Sequence, residues 1–215
     1  MTAPTTTAST TEQSPTTPPA FLGRVTAWVL TVGGALGSLA AITLLIEKIR
    51  LLTNPDYVPT CSINPILSCG SVMSTPQAEV FGFPNPILGV AAFPVVTTIG
   101  VALLAGAQLP RWFWTGLHLG TVFGLAFVHW LFVQSVYEIG ALCPYCMLVW
   151  AVTIPIFWYT TLHGLTAGHL PVPRALQPAA HALARYHSTV LTIWFLVLIA
   201  LIGQAFWSFW VSLLP

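Results

Sequence analysis

The chain has 215 residues, of which 56% are hydrophobic and 5% charged, with a mean hydropathy of +0.83. An ordinary soluble domain carries roughly 25% charged residues, so this composition belongs in lipid. The net charge is +1, from 6 Lys and Arg against 5 Asp and Glu, which leaves no field to hold nucleic acid or an acidic substrate.

Residues 1–20 (MTAPTTTASTTEQSPTTPPA) are Thr, Ser and Pro with almost no large apolar side chain, too little to offset the entropy of ordering. A disordered cytoplasmic tail is expected there. The start lacks the basic stretch and short apolar core of a secretory signal, so the first apolar run is expected to stay in the mature protein. A transmembrane helix needs about 20 mostly apolar residues to cross a hydrocarbon core of roughly 30 Å. Five segments reach that length: about 25–46, 86–107, 112–137, 143–162 and 188–211. In lipid the backbone must satisfy its own hydrogen bonds, and these continuous Leu, Val, Ala and Trp runs lack the alternation of barrel strands. The fold class is an all-α integral membrane protein.

With the N-terminus inside, Arg24, Arg111, Arg174 and Arg185 fall on the cytoplasmic side, and only Lys48 and Arg50 face out, beside Glu47, Asp56, Glu79 and Glu138. That bias sets the expected orientation. Trp28, Trp112, Trp114, Trp158, Tyr159, Trp207 and Trp210 lie near span ends, where interface anchoring and bundle packing explain them equally well. The inner segment 166–187, with His169, His181 and His187 following His163, has no metal-site spacing and reads as a solvated loop. The outer segment 47–85 is long and interrupted by Pro55, Pro59, Pro65, Pro76 and Pro84, and long loops in compact domains are usually functional.

All four cysteines fall on the outer side: Cys61 and Cys69 in that loop, Cys143 and Cys146 at the mouth of the fourth span. Disulfides persist in oxidising compartments, of which this face is one. Cys143-Pro144-Tyr145-Cys146 makes a small, readily reduced ring and a poor staple. Pro144 suits a first helical turn, making Cys143 the cap residue, and the partial positive charge of a helix N-terminus favours its thiolate. Cys61-x7-Cys69 is too wide for a zinc knuckle.

A Cys-x-x-Cys at a span mouth can reach an acceptor in the membrane, whereas a loop pair can meet a soluble protein. Exchange through a mixed disulfide then lets Cys61 or Cys69 carry electrons to Cys143, leaving Cys146 to reduce the acceptor. No flavin or haem motif is visible, so the acceptor is expected to be a membrane quinone, menaquinone or ubiquinone. The competing reading is a small membrane transporter or scaffold whose cysteines staple an outer loop. No charged residue lies deep in a span and no half-helix pair marks a substrate path, which argues against transport.

Cys61-x7-Cys69, Ser74-Thr75, Phe83-Pro84-Asn85-Pro86 entering a span, and Cys143-Pro144-Tyr145-Cys146 opening the fourth together resemble the vitamin K epoxide reductase family in its bacterial form. The likeness covers about residues 25–165. It implies a four-helix transmembrane bundle around a quinone, with segment 188–215 as an additional fifth helix. It implies a relay pair at Cys61 and Cys69, a redox centre at Cys143 and Cys146, and a quinone hydrogen bond from Asn85. Thr75 joins the candidate quinone contacts. The family's bacterial role is to reoxidise a thioredoxin-like, DsbA-like disulfide-forming protein at the inner membrane. Two departures stand out. Trp150 occupies the place, one turn after the Cys-x-x-Cys, where members often carry Tyr, leaving stacking as its available contact. The chain also stops at Pro215, where many relatives continue into a thioredoxin-like domain, so a separate partner is expected. His129 and Gln134 on the third span are candidates to line the cavity, with interhelical hydrogen bonding as the plainer account.

Overall fold

The computed structural model describes residues 18–54, 56–170 and 177–212. Most of the N-terminal tail, and residues 171–176 of the expected inner loop, lie outside them. The five expected spans are helices long and apolar enough to cross a membrane. They are α1 (Pro18–Thr53), α3 (Pro86–Leu104), α4 (Arg111–Val133), α5 (Pro144–Thr166) and α7 (His187–Ala205), with the shorter α2 (Cys69–Met73), α6 (Gln177–Arg185) and α8 (Trp207–Ser212) between or after them. The protein is an all-helical, multi-pass membrane protein.

Helix ends depart from span ends for local reasons. The apolar run of α1 finishes near Ile46, but Glu47, Lys48 and Arg50 are good helix formers and the helix continues to the Asn54-Pro55 breaker. Three charged residues are thereby carried on a rigid extension beyond the apolar stretch. Pro86 and Pro144 start α3 and α5, where a missing N–H costs nothing. The third span does not stay α-helical: after Val133 it widens into a π turn, Gln134–Ile139, closed by Gly140 at φ 68°. The segment expected as an inner loop contains α6. Three of the histidines expected to be solvated there are packed instead, His163 and His169 lying 4.5 and 5.4 Å from the Trp114 ring and His187 bonding the Tyr159 hydroxyl at 2.9 Å, while the side chain of His181 lies outside the described residues.

The bundle is ordered by which helices pack: α1 lies against α3 and α5, and α5 against α4. Water does not drive helices together in lipid, so close approach depends on small residues. At the α1–α3 seam a Cβ on Gly34 would sit 2.7 Å from the backbone N of Thr97, and one on Gly100 would sit 2.4 Å from that of Thr31. Helix α4 carries Gly116, Gly120 and Gly124 at four-residue spacing, yet a Cβ on Gly116 or Gly120 would meet nothing within 4 Å. Helices α3 and α4 do not pack along one another, and a cavity lies between them.

The fifth long helix is pinned to the bundle by polar contacts. The Trp158 indole donates to the His187 carbonyl at 3.0 Å, and the Trp194 indole donates to His129 Nε2 at 3.1 Å, while His129 Nδ1 bonds Leu125 O. His129 is therefore an interhelical tie and not a cavity residue. The aromatics at span ends divide: Trp28, Trp112 and Trp207 are exposed on the helix surface, as interface anchors are, whereas Trp114, Trp158 and Tyr159 are buried packing.

The two kinds of glycine make different demands. Gly34→Val is expected to lower the midpoint of thermal unfolding in detergent, overpacking costing about 1–3 kcal/mol. Gly120→Ala, whose methyl enters open space, is expected to stay within about 0.5 kcal/mol of the unmodified chain. Equal sensitivity at both positions would mean the seam has been misread.

Candidate functional site

The site forms where the segment between α1 and α3 folds back over the start of α5. Its register is set by one parallel bridge, Leu67 with Leu142. Leu142 N–H donates to Ile66 O at 2.7 Å and Ser68 N–H donates to Leu142 O at 2.9 Å. The residue after Ser68 is Cys69, at the start of α2, and the residue after Leu142 is Cys143, the cap of α5. Two backbone hydrogen bonds thus bring together cysteines 74 positions apart, with Cys69 Sγ 3.0 Å from Cys143 Sγ.

Cys61 and Cys69 form a disulfide, with Cα atoms 5.6 Å apart, and Cys143 and Cys146 are free thiols. Cys69 and Cys143 are fully buried and Cys61 is 5% exposed. The sulfurs of Cys61, Cys69 and Cys143 lie within 4.8 Å of one another. Because two of them are already bonded together, the cluster has the geometry of thiol–disulfide exchange, not of a ligand set for a cation.

The loop that holds Cys61 and Cys69 is clamped, not free. Glu47 and Lys48, on the extension of α1, are 3% and 6% exposed. The Glu47 carboxylate accepts hydrogen bonds from the Tyr57 and Thr60 hydroxyls, both at 2.9 Å, which fixes the chain immediately before Cys61. Lys48 Nζ donates to Met73 O at 2.7 Å and pairs with Glu79 at 2.9 Å, which fixes the end of the short helix that begins at Cys69. Charge-assisted bonds of this kind contribute about 1.5–3 kcal/mol each. Sequence reasoning placed these charges outside the membrane without giving them this work; adjacent opposite charges at a span end, before a Pro-rich segment, were the available signal.

The Cys143 thiol is held below its ordinary range, first by its hydrogen bond with the Cys146 thiol, against burial, which pushes it up. The N–H groups of Cys146 and Tyr145 also favour the thiolate, although no side-chain cap bond of regular geometry closes on α5. Cys146 is half-buried and faces the cavity.

That cavity has a volume of about 560 Å³ and runs between α3 and α4 from Asn85 and Cys146 at one end to Trp112 and Phe113 at the other. Its walls are almost wholly apolar. The expected contact residues Asn85, Thr75 and Trp150 all line it, and the side chains of Asn85 and Thr75 are hydrogen-bonded locally. Asn85 donates to Gln77 O at 2.7 Å and accepts from Val80 N–H at 3.2 Å, so its first task is to fasten the turn at 77–80 to the start of α3. One amide hydrogen remains. Thr75 donates to Val72 O and the neighbouring Ser74 to Gly70 O, the plain turn-capping role. Trp150 is buried, edge-on to Phe132 with ring centroids 5.2 Å apart.

A family model described as the vitamin K epoxide reductase family matches residues 28–161, from the first turns of α1 almost to the end of α5. The chain belongs to that family. The match covers the four helices of the bundle and both cysteine pairs, leaving α6, α7 and α8 outside it. Comparison with curated proteins gives no match. As a vitamin K epoxide reductase family member the protein is a membrane thiol–disulfide oxidoreductase, and its two cysteine pairs approach to 3.0 Å between Cys69 Sγ and Cys143 Sγ.

With the loop pair replaced by Ser, absorbance of the thiolate against pH is expected to give a Cys143 transition below the ordinary cysteine range, and Cys146→Ala is expected to move it up. The sign follows from the cause: removing the Cys146 thiol removes the largest contribution favouring the anion. A transition that stays in place in the Ala variant would assign the depression to the helix N-terminus alone.

Proposed function

We propose that the protein generates disulfides on the outer face of a bacterial inner membrane, drawing electrons from a separate thioredoxin-like protein and delivering them to a membrane quinone. The observation that carries this reading is the continuity of the path. Cys61, the less buried of the loop pair, is bonded to Cys69; Cys69 lies 3.0 Å from Cys143; and Cys146, next along the Cys-x-x-Cys, faces the apolar cavity. A loop staple would need no third sulfur against it.

The exchange steps balance without outside reagents. A thiolate of the reduced partner attacks Cys61, the less buried sulfur, forming a mixed disulfide and releasing the Cys69 thiolate. The partner's second thiol then breaks that bond, leaving the partner oxidised and Cys61 reduced. Cys69 attacks Cys143 in a Cys143–Cys146 disulfide, and Cys146 leaves as thiolate. Cys61 next attacks Cys69, restoring the loop disulfide and freeing Cys143. Val58 and Ile63, about 70% exposed on either side of Cys61, offer the partner an apolar footing.

The cavity fits a quinone. Its volume lies within the roughly 300–1,000 Å³ of typical ligand sites, its walls suit an isoprenoid chain, and the open groove at Gly116 and Gly120 leaves room for that chain along α4. Asn85 would hold a ring oxygen with its remaining amide hydrogen, Trp150 would stack or pack beside the ring, and Thr75 would border it. Cys143 and Cys146 would return to a disulfide by giving up two electrons and two protons, which is the chemistry a quinone held there would supply. Menaquinone and ubiquinone both have this chemistry. The excess of Arg at the end opposite the cysteines supports a cytoplasmic N-terminus.

Cys61→Ser/Cys69→Ser is expected to abolish oxidation of a reduced thioredoxin-like protein while quinone reduction driven by a small dithiol stays within about two- to threefold of the unmodified chain, because the small molecule bypasses the loop. Loss of both activities to the same extent, in a variant that still unfolds cooperatively, would overturn the relay.

A further inference from the structure

We propose that Gln134, on the π turn, is a quinone-recognition residue: its side-chain amide donates a hydrogen bond to the ring carbonyl oxygen on the α4 side of the cavity, opposite Asn85. The proposal rests on the quinone reading above and adds a contact to it.

Few polar groups along the cavity are left without a partner in the chain. A ring carried in an apolar cavity needs a few placed donors to fix its orientation. The hydroxyls that line this cavity are already engaged: Thr75 donates to Val72 O, Thr121 to His118 O, Ser135 to Ala141 O and Thr153 to Val149 O. Asn85 retains one amide hydrogen. Gln134 and Gln77 line the cavity half-buried, with no side-chain hydrogen bond among the described contacts. Gln77 stands on the same wall as Asn85, to which its carbonyl is tied. Gln134 is the amide on the α4 wall. The two oxygens of a para-quinone lie on opposite sides of the ring, so one donor from each wall matches the ligand.

The backbone at this point supports the same assignment. In an uninterrupted α-helix the cavity face that carries Leu131, Gln134 and Ser135 would next present Glu138, seven residues after Leu131. The π turn advances the register by one, so Ile139 lines the cavity and Glu138 is exposed. A carboxylate beside a ring that gains electrons would oppose reduction. The widened turn keeps the neutral amide inside and the charge out, and it ends at Gly140, directly before the segment that sets Cys143.

The test compares two ligands of the same ring shape on the full chain in detergent. Menadione, 2-methyl-1,4-naphthoquinone, has the carbonyl oxygens; 2-methylnaphthalene lacks them. Both are titrated by quenching of tryptophan fluorescence. Gln134→Leu is expected to weaken menadione binding about 5- to 10-fold, the weight of one neutral hydrogen bond, and to leave 2-methylnaphthalene binding unchanged, which also shows that the variant is folded. The infrared carbonyl stretch of bound menadione is expected to shift toward its value in apolar solvent. Equal weakening of both ligands, or no weakening of either, would overturn the role of Gln134. If the unmodified chain fails to bind menadione, the quinone reading itself is overturned, and Gln134 with it.

Discussion

The active arrangement depends on two backbone hydrogen bonds, Leu142 N–H to Ile66 O and Ser68 N–H to Leu142 O. They form the bridge at Leu67 and Leu142, and the cysteines following on each side meet because that bridge fixes the register of the outer segment against the start of α5. A slip of one residue would turn Cys69 away from Cys143. The clamp at the end of α1 reinforces the same register from the other side, with Glu47 holding the chain before Cys61 and Lys48 holding the chain after Cys69. Cys69 and Cys143 are thus held sulfur to sulfur, and the relay proposed above needs no movement of the outer segment to bring them together.

Two uses of glycine divide the bundle. At Gly34 and Gly100 the missing Cβ lets α1 and α3 touch backbone to backbone, making a rigid wall. At Gly116 and Gly120 the missing Cβ faces open space and leaves the cavity wide toward its Trp112 end. A glycine in an apolar helix carries no mark in the sequence that separates these cases. The difference lies in what stands opposite.

Much of the fold was legible because lipid allows few solutions. The five apolar runs became five long helices, and Pro86 and Pro144 marked two starts correctly. Helix ends were less legible: α1 outlasts its apolar run since charged residues extend a helix as readily as apolar ones, and the π turn at Gln134 leaves no compositional mark. In the site, the grouping of the cysteines into a loop pair and a Cys-x-x-Cys was readable from spacing. The choice of Cys69 as the sulfur facing Cys143 was not, because it depends on a bridge between distant backbone segments. Asn85 was expected to serve a ligand, and its local bonds to Gln77 and Val80 show a turn-fastening duty that a sequence motif conceals.

The most direct test of the path leaves one loop cysteine and Cys143 in place. In Cys61→Ser/Cys146→Ser only Cys69 and Cys143 remain, and in Cys69→Ser/Cys146→Ser only Cys61 and Cys143. Under limiting oxidant, non-reducing peptide mapping is expected to find the Cys69–Cys143 disulfide formed quickly and to completion, and the Cys61–Cys143 disulfide formed slowly and in part. Equal formation of the two, or a faster Cys61–Cys143 bond, would contradict the assignment of Cys69 as the sulfur that exchanges with the Cys-x-x-Cys.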